Sequence, residues 1–338
     1  MEAKQIIFTQ KDRAEFLTVE AQEPDADQVM VRTKISTVSC GTERANITGH
    51  AKVYGAGEPR VSFPRTSGYS SSGVVVKTGK ALKNIVPGDS VIVSWGSHKS
   101  YNTVGSENIV KYDREKVSDE EAALIHIATF PLAAVRKTHL HMGESALVMG
   151  LGILGLMAVQ LARAAGAVPV IAADPVKERR ELALQYGADY ALDPLAADFA
   201  DRVKELTGKG ANVVIEVTGK GAGLNGALDC TARFGRVALL GCTRDSDFTV
   251  DFYRKVHATG VTLIGAHTMA RPSVESNPDC FTQRDDIEAL LKLCMGGRLN
   301  LEQMIQETHS PAECQEVYDR LIRDPEFPPV VQFDWTKV

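Results

Sequence analysis

The chain has 338 residues, 44% of them hydrophobic and 24% charged, with 28 glycines and a formal net charge of −5. That length exceeds what one compact core usually holds, so two domains are expected. The mild acidity and the lack of any Lys/Arg run argue against a nucleic-acid or membrane-surface partner.

The first residues, MEAKQIIFTQKDRAEF, scatter charges and show no apolar segment of the kind a secretory leader needs. The longest apolar run, ALVMGLGILGLMAVQLA over 146–162, contains three glycines and Gln160 and is short for a membrane span. The six cysteines, at 40, 230, 242, 280, 294 and 314, form no CxxC pair. This argues against a structural zinc of closely spaced thiolates and fits a reduced, cytoplasmic setting.

Residues 1 to about 118 read as strands broken by turns. VMVRTKIST, SSGVVVKTG, DSVIVSW and ENIVKYD are rich in Val and Ile, with PDAD, TGK and PGD between them. A barrel-like β domain is expected there. From Asp119 the pattern turns helical in EEAALIHIATFPLAAVRKTHL, with Pro131 expected to kink or restart the helix.

Strand and helix then alternate: ALVMG with ILGLMAVQLARAAG, PVIAAD with VKERRELALQYG, then NVVIEV, RVALLG and VTLIGA between helical stretches. Short apolar strands alternating with helices mean βαβ units and a parallel sheet. DDIEALLKLCMGG and PAECQEVYDRLI read as amphipathic helices, and PVVQFDW as a strand returning to the first domain. The fold class expected is α/β, with 1–126 and 267–338 forming one domain and 127–266 a doubly wound dinucleotide-binding domain.

VMGLGILG places Gly150, Gly152 and Gly155 in GxGxxG spacing, with Ile153 and Leu154 opening the helix. Such a turn brings backbone amides and a positive helix end to a pyrophosphate. A second match, Gly221, Gly223 and Gly226, is set off from its strand by Thr218, Gly219 and Lys220, and reads as a glycine-rich loop capping a helix. The first match alone is followed by a strand ending in an acid: Asp174, 19 residues after Gly155. A carboxylate there accepts ribose hydroxyls and repels a 2′-phosphate, so NAD is the expected cofactor. Arg179 joins the cofactor set, although Arg179 and Arg180 are also readable as the solvent side of the next helix. Thr218, Gly241 and Cys242 end sheet strands, where ligands of such sheets bind.

SCGTER, FPRTSGYSSSGVVV, VPGDSVIV, VMGLGILG with Asp174, NVVIEVTG and GRVALLG, in that order, resemble the medium-chain dehydrogenase/reductase superfamily over nearly the whole chain. The resemblance implies a GroES-like β-barrel catalytic domain, a Rossmann domain, a small-molecule substrate and a homodimer or homotetramer. Zinc alcohol and polyol dehydrogenases of this superfamily use a cysteine, a Gly-His-Glu and a third ligand. Cys40 matches the cysteine, and Thr42 matches a hydroxyl that hands the substrate proton onward. Gly68-Tyr69-Ser70 stands where Gly-His-Glu would be, His126 falls where a third ligand would sit, and the usual four-cysteine lobe near 95–110 is missing. SCGTER is similar to the corresponding stretch of bacteriochlorophyllide dehydrogenase-like and sugar-modifying members, which oxidise secondary alcohols.

Two ligands fall short of the three protein ligands a catalytic zinc takes, so no metal is expected. Side chains must then serve as base and oxyanion partner. Tyr69, His126, Thr42 and Glu43 are the candidates, with Cys40 beside them. His126 or Tyr69 is expected as acid/base, with Thr42 relaying the proton through the nicotinamide ribose. Each also has a plain packing role open to it, and Glu43 a salt bridge to Arg44 or a loop. Trp95 is a candidate pocket wall, and His98 is expected to hold loop structure. The pocket is expected from loops over 40–60, 95–100, 126–130 and 265–285. A zinc-free quinone or enone reductase and a non-catalytic nucleotide-binding protein are the competing readings.

Overall fold

The computed structural model describes residues 1–53, 61–246, 248–278 and 280–338. Part of the expected pocket loop 40–60 therefore lies outside the described residues. The chain divides into two compact units, residues 1–127 with 287–338, and residues 128–286.

In the first unit β1 (Glu2–Gln10) and β2 (Arg13–Glu20) form an antiparallel hairpin, followed by β3 (Gln28–Thr37), α1 (Cys40–Ile47), β4 (Arg65–Thr66), β5 (Ser70–Thr78), β6 (Ser90–Ser94), β7 (Tyr101–Gly105) and β8 (Ile109–Lys111). The unit boundary falls within α2 (Asp119–Lys137), which runs through Pro131 as one helix. The expected restart does not occur. Proline removes one hydrogen bond, and the buried run around it, from Leu124 to Leu132, supplies enough packing to hold the helix together.

The second unit continues with β9 (Ala146–Met149), α3 (Ile153–Ala164), β10 (Val170–Ala173), α4 (Lys177–Gln185), β11 (Tyr190–Leu192), α5 (Phe199–Thr207), β12 (Ala211–Glu216), α6 (Gly221–Cys230), β13 (Thr231–Leu239) and β14 (Thr262–Gly265). The second boundary falls in α7 (Gln283–Met295). Residues 267–286, expected with the barrel, belong instead to this unit. One reason lies in Asp286, which pairs with Arg136 at 2.5 Å and Arg271 at 3.4 Å, both within the same unit. The chain ends with β15 (Glu307–His309), α8 (Cys314–Arg323) and β16 (Val331–Asp334).

The first unit is built on a sheet in the order β15-β16-β3-β5-β6-β8, with β7 also paired to β3, and a smaller sheet β2-β1-β4. The returning strand β16 pairs antiparallel with β3, Phe333 opposite Ser36. The core gathers Phe8, Ile47, Phe327, Phe333 and Trp335 around α8, whose buried Cys314, Val317, Tyr318 and Leu321 follow helical spacing.

The second unit holds a six-stranded, wholly parallel sheet in the order β11-β10-β9-β12-β13-β14. All four residues of β9 and of β10 are buried, as strands covered by helices on both faces require. The order reverses between β9 and β12, and the carboxyl ends of strands at such a switch point carry the ligand in open α/β sheets.

Candidate active site and cofactor cradle

In the first unit three turns bring polar groups together. The strand β3 leads through Val38, whose amide bonds Val331 O at 2.9 Å, into Ser39 at the N-cap of α1. Gly68 has φ +100°, and a methyl there would lie 2.3 Å from the His98 amide nitrogen, so only glycine lets the chain pass. That turn presents Tyr69, whose hydroxyl lies 2.5 Å from Ser39 Oγ. Trp95 follows β6 with φ +60°, its amide bonded to Tyr69 O at 2.8 Å. A non-glycine residue in this conformation is uncommon and carries strain.

The rings of Tyr69, Trp95 and the buried His126 form a triangle. Tyr69 and His126 meet edge to face at 5.7 Å, Trp95 and His126 likewise at 4.8 Å, and Tyr69 and Trp95 lie tilted at 5.6 Å. Trp95 is 45% exposed, so the cluster opens to solvent on its side. Thr42 lies half-buried on the first turn of α1.

Glu43 is not at this opening, contrary to expectation. Its carboxylate is wholly buried and accepts the Ser39 amide at 2.9 Å, His98 Nε2 at 3.2 Å and the Tyr318 hydroxyl at 2.5 Å. Burial by itself pushes the Glu43 carboxyl up, but the attraction of His98 and the hydrogen bonds from His98, Tyr318 and Ser39 outweigh it, holding the group below the usual carboxylate range. His98 Nδ1 meets Ser36 Oγ at 2.7 Å, and Ser36 Oγ accepts Trp335 Nε1 at 2.8 Å. Glu43 therefore anchors the start of α1 to α8 and to the loop after β6. Arg44 instead donates to Leu321 O at 2.8 Å, so of the two packing partners expected for Glu43 it is the loop, through His98, that is found.

In the second unit Gly150 has φ +95°. A methyl at Gly155 would sit 1.8 Å from the Gly150 carbonyl oxygen, so α3 packs directly on the turn. A methyl at Gly152, the N-cap of α3, would meet nothing within 4 Å. That is the space a pyrophosphate needs beside the amides of a helix start, and the turn fits a dinucleotide.

Asp174, just past β10 and 5% exposed, accepts Leu151 N at 2.8 Å and Val176 N at 2.9 Å. Arg179 is half-buried on α4. Arg180 does not lie along the solvent side: its Nη1 donates to Asp174 O at 2.8 Å and Pro175 O at 2.9 Å.

The second glycine set also opens a helix, α6, but side chains fill its space. A methyl at Gly221 would meet the Phe248 ring at 2.3 Å, and one at Gly223 would meet Thr218 Oγ1 at 2.0 Å.

Thr218, Gly241 and Cys242 converge at the ends of β12 and β13. A methyl at Gly241 would lie 2.3 Å from Gly219 N, one at Gly219 would lie 2.6 Å from Cys242 O, and one at Gly150 would touch the Thr218 methyl at 3.1 Å. Glu216, unflagged in the sequence, organises this turn. It accepts Thr218 N at 2.8 Å, the Thr218 hydroxyl and Gly219 N at 3.2 Å. Burial pushes its carboxyl up despite those bonds. The available signal was an acid inside the apolar strand NVVIEV.

Residues 25–119 match the alcohol dehydrogenase GroES-like domain family, and residues 154–283 the zinc-binding dehydrogenase family. D-Guloside 3-dehydrogenase of Shigella flexneri is 28% identical across 93% of this chain and 95% of its own length. L-Threonine 3-dehydrogenase of Pyrococcus horikoshii is 29% identical across 75% of this chain and 79% of its own. The crystal structure of benzyl alcohol dehydrogenase from Acinetobacter calcoaceticus superposes with a TM-score of 0.85 over 99% of both chains, at 19% identity. The chain belongs to the medium-chain, zinc-type dehydrogenase/reductase superfamily and is an oxidoreductase.

Of the positions the resemblance assigns to zinc ligands, Cys40 and His126 keep donor side chains while Tyr69 and Ser70 do not, which falls short of three protein donors. Cys40 Sγ lies 3.5 Å from Pro329 O and 3.8 Å from Val38 O and Pro328 O, packed among carbonyls. The histidine position is a phenol already engaged by Ser39, and Ser70, at the carboxylate position, donates to Ala123 O at 2.7 Å. Among the described residues no three His, Cys, Asp or Glu side chains gather closely enough to hold a metal ion.

Proposed function

We propose that the chain interconverts a secondary alcohol, of the polyol, cyclitol or sugar-derivative class, and its ketone, using NAD and no catalytic zinc. The observation that carries the reading is Tyr69, a phenol in the position of a metal-binding histidine, held at 2.5 Å by Ser39 and set against His126 and Trp95. The donor set leaves the substrate's hydroxyl proton to protein groups. Tyr69, with His126 against its ring, takes that proton, and Thr42 hands it onward.

Gly150, Gly152, Gly155, Ile153 and Leu154 would cradle the pyrophosphate, Asp174 and Arg179 the adenosine half, and Thr218, Gly241 and Cys242 the nicotinamide end. NAD supplies the hydride acceptor when bound. Asp174 supports NAD over NADP and speaks against an enone reductase, since such reductases commonly prefer the phosphorylated cofactor. The exposed Trp95 ring suits the C–H face of a sugar or cyclitol.

No helix among the described residues is long and apolar enough to cross a membrane. We place the protein in the cytoplasm as a homodimer or homotetramer.

The test is a nicotinamide absorbance assay with NAD and with NADP over methyl D-guloside, sorbitol, myo-inositol, L-threonine and benzyl alcohol, and with NADH and NADPH over a simple enone and a quinone. Turnover of a sugar derivative or polyol with NAD supports the reading. Turnover confined to enones or quinones with NADPH overturns it.

A further inference from the structure

A serine at a helix N-cap ordinarily accepts a hydrogen bond from an amide of the first turn. Ser39 stands at the N-cap of α1 and makes no such bond. Its hydroxyl is turned instead to Tyr69, 2.5 Å away, while its own amide is fixed by Glu43 Oε1 at 2.9 Å. Behind it the support is buried and hydrogen bonded throughout: Glu43 to His98 and Tyr318, His98 to Ser36, Ser36 to Trp335. Ser39 has given up a stabilising role at the helix start for a contact with one phenol oxygen, and five further side chains hold it there.

We propose that Ser39 is the positioning residue of Tyr69, aiming the phenol oxygen and donating to it while that oxygen receives the substrate's proton. The inference rests on the acid–base role proposed above for Tyr69. In the oxidation direction the substrate's O–H bond breaks and its proton passes to the deprotonated Tyr69 Oη. The carbinol C–H bond breaks with its electron pair leaving as hydride to NAD, the ketone remains, and the proton is later released to water. An oxygen about to receive a proton has none to give, so in that step Ser39 donates and Tyr69 accepts. A hydrogen bond to an ionised oxygen is stronger than one to a neutral phenol. Ser39 thus favours the form of Tyr69 that accepts the proton, and Glu43 acts only by holding Ser39.

The experiment is a double-mutant cycle in the full chain: wild type, Ser39→Ala, Tyr69→Phe and both together, with Ser39→Thr as the conservative variant. The probe is methyl D-guloside, or whichever alcohol of the panel the wild type oxidises fastest, at saturating NAD. Ser39→Ala should lower kcat by about tenfold to a hundredfold with KM unchanged. Ser39→Thr, which keeps a hydroxyl, should recover most of the loss. In the Tyr69→Phe background, Ser39→Ala should have no further effect on kcat. An equal loss in both backgrounds, or a Ser39→Ala variant with wild-type kcat, overturns the assignment of Ser39 and leaves the parent reading standing. A Tyr69→Phe variant with wild-type kcat, or a panel without turnover, removes the parent reading and this inference with it.

Discussion

The carboxylate of Asp174 accepts the amide hydrogen of Leu151 at 2.8 Å, tying the end of β10 to the glycine turn before α3. One residue thus braces the glycine turn, and under the proposed function its remaining lone pairs would take a ribose hydroxyl. Asp174→Ala should weaken NADH binding by about tenfold or more and narrow the gap between NADH and NADPH, because the turn loosens and the repulsion of a 2′-phosphate disappears together. Fluorescence titration with both cofactors measures this. An equal loss for NADH and NADPH would show that Asp174 only braces the turn.

The glycines of the two GxGxxG sets separate by what surrounds them. Gly152→Ala places a methyl in open space, so the fold should survive while NADH affinity falls by about tenfold or more. Gly155→Ala drives a methyl against the Gly150 carbonyl and should destabilise the protein by about 1–3 kcal/mol. Gly223→Ala, blocked by Thr218 Oγ1, should also cost stability, with cofactor affinity per folded molecule retained. Calorimetry alongside NADH titration distinguishes the three. Loss of affinity only at Gly223 would move the cofactor to the second set.

Glu43 makes stability depend on acid. Its folded carboxyl titrates below the unfolded value of about 4.3, so its contribution is present above that pH and is lost as pH falls through the folded value. Glu43→Gln should be less stable than wild type at neutral pH, and the difference should shrink below roughly pH 4. Glu43→Ala, which leaves the His98, Tyr318 and Ser39 donors without their acceptor, should cost about 3–5 kcal/mol. Urea unfolding across pH checks both. A constant difference down to strong acid would show that the charge is not what stabilises.

Tyr69→Phe and His126→Ala should each lower turnover by about a hundredfold or more while leaving NADH binding intact, because the cofactor turn is built from residues of the other unit. Stopped-flow turnover with separate binding titrations reads the two effects apart. Full activity in both variants would rule out protein acid–base chemistry at this cluster.

The βαβ unit was legible because its chemistry is local. Strand, glycine turn, helix and acid lie within 146–174, and the structure orders them that way. The returning strand near Val331 was legible for its apolar run directly after Pro328 and Pro329. The Glu43 network was not, since Tyr318 and Trp335 lie almost three hundred residues away and nothing in SCGTER announces them. Glu43 therefore read as a catalytic candidate when burial withdraws it from solvent. Ser39 was not legible because nothing in SCGTER sets it apart and the short helix it precedes is not announced by the strand-like pattern around it; only coordinates bring its hydroxyl to Tyr69. The hairpin β1–β2 went unread: β2 keeps much of one face in solvent, so its pattern is weak.

Under the proposed function, protein groups alone handle the alcohol's proton. The most direct measurement is turnover of a panel alcohol with NAD after exhaustive chelation, with metal content read by elemental analysis on the same sample. Full turnover with zinc far below one per chain is the expected result. Activity that vanishes on chelation and returns with one zinc per chain would contradict it.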